Sequence, residues 1–197
     1  MKSKKIFKAT FLVMVITIAS RFLGLIRDSL VAYYFGAGAI TDAYKAAVMV
    51  PETLFTIIGL GVSTVFIPML SKIRYRDSKE KMFEFANNVI GLLIIMSLCI
   101  FVLGNIFTES IVNIIAPGFS KENMELAISL TRISLINLLF MSVNVCFLSM
   151  LQVCEDFVIP SILGMFFNAP IILYLIIFKD VNILGVTIAN VIGNILR

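Results

Sequence analysis

Apolar residues run along this chain in long blocks, separated by short charged or turn-forming stretches. Six blocks stand out: Phe7 to Phe35, Tyr44 to Leu70, Phe83 to Phe107, Leu126 to Leu151, Phe157 to Phe178, and a last one from Ile183 to the end at Arg197. A helix rises 1.5 Å per residue, so about 20 apolar residues cross a ~30 Å hydrocarbon core. The first five blocks meet that length. The sixth has only about fifteen residues, too few to cross, and is expected to be completed by sequence beyond Arg197, as in a fragment of a longer transporter. The pattern predicts an all-α fold: a polytopic membrane helical bundle of about six transmembrane helices.

Composition narrows the class. Of 197 residues 60% are apolar and 14% charged, with a mean hydropathy of +1.04. Soluble domains carry about 25% charge, so a soluble globular enzyme is excluded. There is no His, which removes Ser–His and Cys–His nucleophiles, His-ligated zinc and His-ligated haem. Cys99, Cys146 and Cys154 lack CxxC spacing and lie in apolar runs, so they read as small packing residues. No Trp is present, and any aromatic belt is made of Tyr and Phe.

The net charge of +4 does not call for nucleic acid, because in a membrane chain the position of charge matters more than its sum. Lys2, Lys4, Lys5 and Lys8 precede the first block, and Lys72, Arg74, Arg76, Lys79 and Lys81 lie between the second and third. Two crossings bring both clusters to one side, expected to be cytoplasmic. They also suit anionic membrane lipids. The third-to-fourth loop, Thr108 to Glu125, sets Lys121 against Glu109, Glu122 and Glu125 and suits the outside. A cleaved signal peptide ending near Thr17–Ala19 fits less well, since apolar character resumes past Arg21 and five further blocks follow.

Charges inside the first two blocks carry the chemistry. A charge at mid-membrane costs about 2.5–3.5 kcal/mol on insertion scales and is normally functional. At 100° per residue, Thr17, Ser20, Arg21, Gly24, Arg27 and Asp28 fall in one sector of about 120°. Such a stripe is expected to face a bundle interior or a water-filled cavity; the alternatives are an interfacial position or neutralisation of Asp28 by an Arg. In the second block Lys45, Glu52, Thr56, Gly59 and Ser63 share a face. Asp42 and Lys45, three apart, are placed to pair, and Pro51 is expected to bend the helix. Lys45 and Glu52 either line a cavity or form an internal ion pair. In later blocks Asn137, Asn144, Asn168, Asn182, Asn190 and Asn194 suit interhelical hydrogen bonds. No nucleotide-binding motif and no paired catalytic carboxylates occur, so binding rather than bond breaking is expected. A basic cavity suits an anion, and lipid-linked phosphates fit guanidinium forks.

The stretch Ser20-Arg21-Phe22-Leu23-Gly24-Leu25-Ile26-Arg27-Asp28 resembles the S-R-x-L-G-x-x-R-D signature of the MurJ (MviN-type) lipid II flippases, within the multidrug/oligosaccharidyl-lipid/polysaccharide exporter superfamily. The likeness continues through Phe35-Gly36-Ala37-Gly38, Thr41-Asp42-Ala43-Tyr44, Pro51, Phe66-Ile67-Pro68, Ala116-Pro117-Gly118-Phe119 and Ile159-Pro160. It implies a fourteen-helix protein of two six-helix lobes plus two further helices, of which residues 1–197 would be the N-terminal lobe. It implies that an undecaprenyl-diphosphate-linked peptidoglycan precursor moves from the inner to the outer leaflet of the bacterial plasma membrane by alternating access. By resemblance Arg21, Arg27 and Asp42 match positions needed for activity, the arginines near the diphosphate. Lys45 would add a third cation, with Ser20, Gly24, Asp28, Asp42, Glu52 and Thr56 as cavity or gating residues. One departure stands out: the family's Arg pair after the second-block proline is absent, the stretch here being Glu52-Thr53-Leu54-Phe55-Thr56.

That departure leaves room for a flippase of another lipid-linked oligosaccharide. A cation-coupled multidrug exporter would want acidic cavity walls, and a non-transporting scaffold would need no intramembrane charge. No cofactor or metal is called for. A coupling ion or the membrane potential would drive transport, with any ion site expected in the C-terminal lobe, the partner of this one.

Overall fold

The computed structural model describes residues 2–197; the side chains of residues 2–6, 9, 57 and 63 lie outside the description. The positions of the Lys2, Lys4 and Lys5 ammonium groups and of the Ser63 hydroxyl are therefore outside it too. Among the described residues the chain is helical throughout, with no strand: α1 (Lys2–Phe35), α2 (Ala39–Gly61), α3 (Ile67–Arg76), α4 (Lys79–Ile106), α5 (Thr108–Ile115), α6 (Lys121–Ser134), α7 (Asn137–Val153), α8 (Val158–Ile177) and α9 (Ile183–Leu196).

Among the described residues four segments are long and apolar enough to span a membrane: Thr10–Phe35, Ala39–Arg76, Lys79–Ile106 and Val158–Ile177. A fifth is the pair α6 and α7, bent by 41°. The second span is longer than the apolar block alone suggests, because α2 and α3 are joined through a π-helical turn at Val62–Phe66. The helix continues through Pro51, and the π turn adds a separate irregularity further along the span. The fourth block, expected as one helix, is two: Leu135 and Ile136 form a turn between them. The third-to-fourth connection contains the short helix α5, which the apolar pattern did not separate from its flanks.

Local chemistry sets the ends. Gly36 turns the chain between α1 and α2 at φ 73, a region that favours glycine. The Thr41 hydroxyl donates to the Gly36 carbonyl over 2.6 Å and holds that turn. Ser78, Ser120 and Asn182 accept backbone N–H bonds at the starts of α4, α6 and α9. Asp156 accepts from Val158 N and Ile159 N at the start of α8, which accounts for an acidic residue there. Arg74 donates to the carbonyl of Val153, tying α3 to the end of α7.

Lipid tails are as apolar as leucine, so helices in a membrane associate through close packing and interhelical hydrogen bonds. Tyr44, Leu130, Ile171, Leu175 and Val186 join α2, α6, α8 and α9 in one core, while Ile58, Leu70, Met82, Leu93 and Cys146 join the second span to α4 and α7 in another. Polar contacts bind the same helices. Ser97 and Ser142 hydroxyls meet between α4 and α7, and Asn137 Nδ2 donates to Asn190 Oδ1 over 3.0 Å between α7 and α9. Small residues allow approach: a Cβ at Gly193 would run into the Phe167 carbonyl, and one at Gly164 into the Ser20 hydroxyl. Helix α1 packs chiefly on α8 and only slightly on α2. Its outer residues Ile18, Phe22 and Leu25 are exposed, leaving α1 at the edge of the bundle. Of the cysteines, Cys146 is buried and Cys99 lies on the exposed face of α4.

Candidate binding cavity

Helices α1, α2, α8 and α9 enclose a cavity of about 220 Å³. Arg27 and Asp28 reach it from α1, Tyr44, Lys45, Val48, Met49 and Glu52 from α2, Phe167 from α8 and Asn190 from α9. The three- and four-residue steps along α2 place that set on one face. Two formal positive and two formal negative charges line it.

Arg27 is the most constrained of these side chains. Its Nε donates to Asp28 Oδ1 over 2.9 Å, and its Nη2 lies 2.9 Å from the same oxygen. Its Nη1 donates to Asn168 Oδ1 over 3.0 Å. The guanidinium carbon sits 5.5 Å from the centre of the Phe167 ring, a cation–π distance. Asn168 is itself held: its Nδ2 donates to the Gly164 carbonyl over 2.8 Å and to the Ser20 carbonyl over 3.5 Å. The carboxylate, amide and ring orient the fork before any ligand arrives. The Asp28 side chain is 60% exposed against 22% for Arg27, so the carboxylate can leave the guanidinium without crossing packed protein.

The expected site residues separate into two groups. Arg27, Asp28, Lys45 and Glu52 come together at the cavity. Ser20 and Gly24 point toward α8 instead, Ser20 against Gly164 and Gly24 against Asn168, so half of the polar stripe serves helix packing. Arg21 is exposed and does not line the cavity. Thr56 donates to the Glu52 carbonyl within its own helix. Asp42 is exposed in the first turn of α2, where a carboxylate suits the helix dipole. The pairing expected between Asp42 and Lys45 is not made: among the described residues the ion pairs are Arg27–Asp28 and Asp77–Lys81. The Asp42 and Lys45 side chains are both exposed, and Lys45 also lines the cavity. Phe167 and Asn190 are lining residues that an apolar block and a packing amide did not announce. A larger cavity, about 560 Å³ between the second span and α4, is walled by apolar side chains such as Leu54, Phe66, Met69 and Met96 and offers an anion nothing.

Long apolar helices around a charged interhelical cavity define a polytopic helical membrane protein. The family is then specific: the family model for the lipid II flippase MurJ matches residues 31–197, and this chain belongs to that family. It is 32% identical over 195 residues to a probable lipid II flippase MurJ of Aquifex aeolicus, covering 98% of this chain and 38% of that protein. It is also 32% identical over 189 residues to the lipid II flippase MurJ of Thermosipho africanus, covering 95% of this chain and 39% of that one. Among solved structures, a lipid II flippase MurJ in an inward closed conformation superposes with a TM-score of 0.81 at 32% identity, over 94% of this chain and 40% of that chain. The chain thus spans about two-fifths of the length of these relatives.

Proposed function

We propose that this chain is the N-terminal lobe of a flippase that carries undecaprenyl-diphosphate-linked peptidoglycan precursor from the inner to the outer leaflet of the bacterial plasma membrane. The observation that carries the reading is the Arg27 guanidinium, held between Asp28, Asn168 and Phe167 at a cavity in an otherwise apolar bundle. The relatives named for lipid II flipping support the substrate class. In this reading the protein is a transporter and breaks no bond.

Asp28 holds the guanidinium while the site is empty. A diphosphate offers more oxygen acceptors than one carboxylate and grips the fork bidentately, so it displaces Asp28, which turns toward the open side. Lys45, from α2, adds a second cation to the cavity. The basic clusters put the N-terminus in the cytoplasm. Because α1 is fixed mainly to α8, it moves with α8 when the two lobes rock about the site. The membrane potential, about 2.3 kcal/mol per charge per 100 mV, acts on the anionic head group during that movement.

The test is rescue of cells depleted of their own flippase, using the full-length parent. Arg27→Ala at normal expression is expected to abolish growth, and Arg27→Lys to restore little, since an ammonium lacks the fork. Full rescue by Arg27→Ala would overturn the reading.

A further inference from the structure

The fourth span bends by 41° between α6 and α7, and the turn holds neither glycine nor proline. Sharp bends in helices otherwise arise at serine pairs, at π turns, or where a side chain or a water enters the hydrogen-bond ladder. Here the backbone changes to three-residue bonds. Ile136 N donates to Ile133 O over 3.4 Å, Leu138 N to Leu135 O over 3.1 Å, and Leu139 N to Ile136 O over 3.2 Å. An unbroken α-helix would send the Leu138 N–H to the Ser134 carbonyl, so the ladder passes that oxygen by.

The side chains tell the same story. Ser134 Oγ and Asn137 Oδ1 are buried and have no hydrogen-bond partner among the described residues. Other buried hydroxyls of the bundle, on Thr131, Ser142 and Thr187, each donate to the carbonyl four residues back. Side chains three apart eclipse across a three-residue turn, so Ser134 and Asn137 face the same way. Asn190 cannot answer them, because its Oδ1 already accepts from Asn137 Nδ2 over 3.0 Å and from Asn194 Nδ2 over 3.4 Å. What the break offers is two carbonyl-type acceptors and one hydroxyl. Residues 126–140 contain no carboxylate and carry Arg132, so the matching ligand is a neutral donor rather than a cation.

We infer that the α6–α7 break is built around one ordered water. It donates to Asn137 Oδ1 and to the Ser134 carbonyl and accepts from the Ser134 hydroxyl, the three bonds usual for a buried water. Ordered water is one of the means by which a broken span satisfies its freed backbone groups. The water fixes the angle at which the fourth span follows the second: Leu130 of α6 packs with Tyr44 and Ala47, and Leu135 and Leu138 pack with Val50. Asn137 also carries the bond to Asn190, which lines the Arg27 cavity, so the water stands one amide away from that cavity. The inference is independent of what the cavity binds.

The unmodified full-length parent is imaged by electron cryo-microscopy at a resolution that shows ordered water. A single peak is expected about 2.5–3.0 Å from Asn137 Oδ1, Ser134 Oγ and the Ser134 carbonyl; no peak among these atoms overturns the inference. Ser134→Ala tests it by sign. Alanine is the better helix former, and deleting a hydroxyl with no partner would raise the melting temperature in detergent. A water bridge reverses this: the melting temperature falls, and the peak is lost from the variant's map. An equal or raised melting temperature overturns the inference. Melting in sodium, potassium and choline chloride identifies the occupant. A rise with sodium or potassium that Ser134→Ala abolishes would make it a cation and overturn the water; equal temperatures, or a rise that the variant keeps, support it. Should Ser134→Ala not fold, the parent's map decides alone.

Discussion

Arg27 on α1 donates to Asn168 on α8 across 141 positions of sequence, Nη1 to Oδ1 over 3.0 Å. The bond fixes the helix that carries the charge to the helix that supplies the aromatic wall. Asn168 is 5% exposed, and its amide also holds the carbonyls of Gly164 and Ser20. One side chain thus sets both the register of α1 against α8 and the direction of the guanidinium.

Removing that amide separates orientation from charge. Asn168→Ala deletes a hydrogen bond to a charged group, worth about 1.5–3 kcal/mol. The expected outcome is a flipping rate lowered about tenfold or more with Arg27 still present. The rate is read in reconstituted vesicles of the full-length parent. A wild-type rate in Asn168→Ala would show that Arg27 orients without it.

Close packing between α8 and α9 positions Phe167. A Cβ at Gly193 meets the Phe167 carbonyl, a backbone atom that cannot swing aside. Gly193→Ala is expected to destabilise by about 1–3 kcal/mol through overpacking and to lower the melting temperature in detergent. Gly91→Ala, where nothing lies within 4 Å, is the control and is expected to be neutral or slightly stabilising from helix propensity.

The Asn137–Asn190 bond joins α7, just after the bend in the fourth span, to the helix that closes the cavity. A double-mutant cycle with Asn137→Ala and Asn190→Ala is expected to give a coupling of about 0.6 kcal/mol, and at most about 1.7, as for other interhelical bonds in membranes. Additive single-variant losses would mean the bond contributes nothing of its own.

At the start of α4, the backbone N–H of Glu80 and the Ser78 hydroxyl hold the Glu80 carboxyl below the usual carboxylate range. A depressed folded value stabilises above the unfolded value and loses that contribution as pH falls through the folded one. Melting temperature measured from neutral to acid pH should therefore fall less steeply in Glu80→Gln than in the parent protein.

Much of this architecture was legible from the apolar blocks, because a ~30 Å slab imposes a minimum run length that few other constraints imitate. Arg27 and Asp28 were legible for a related reason: charge in such a run has few places to go. The bend at Leu135–Ile136 was not, since neither residue is a Gly or Pro, and the polar contact beside it joins Asn137 to a partner 53 residues away. Phe167 was hidden for another cause. An aromatic residue in a uniformly apolar block has the same signature whether it faces lipid or a guanidinium. Ser20 and Gly24 shared the angular sector of the arginines, yet their small size let α8 approach there, so the stripe is split between packing and cavity.

The most direct measurement is the affinity of purified full-length parent for lipid II with Arg27 intact and as Arg27→Gln, which keeps a shorter, uncharged polar side chain. The account predicts at least about tenfold weaker binding in the variant, the loss of a charge-assisted fork on phosphate, with the melting temperature little changed. Equal affinity in both proteins would contradict it.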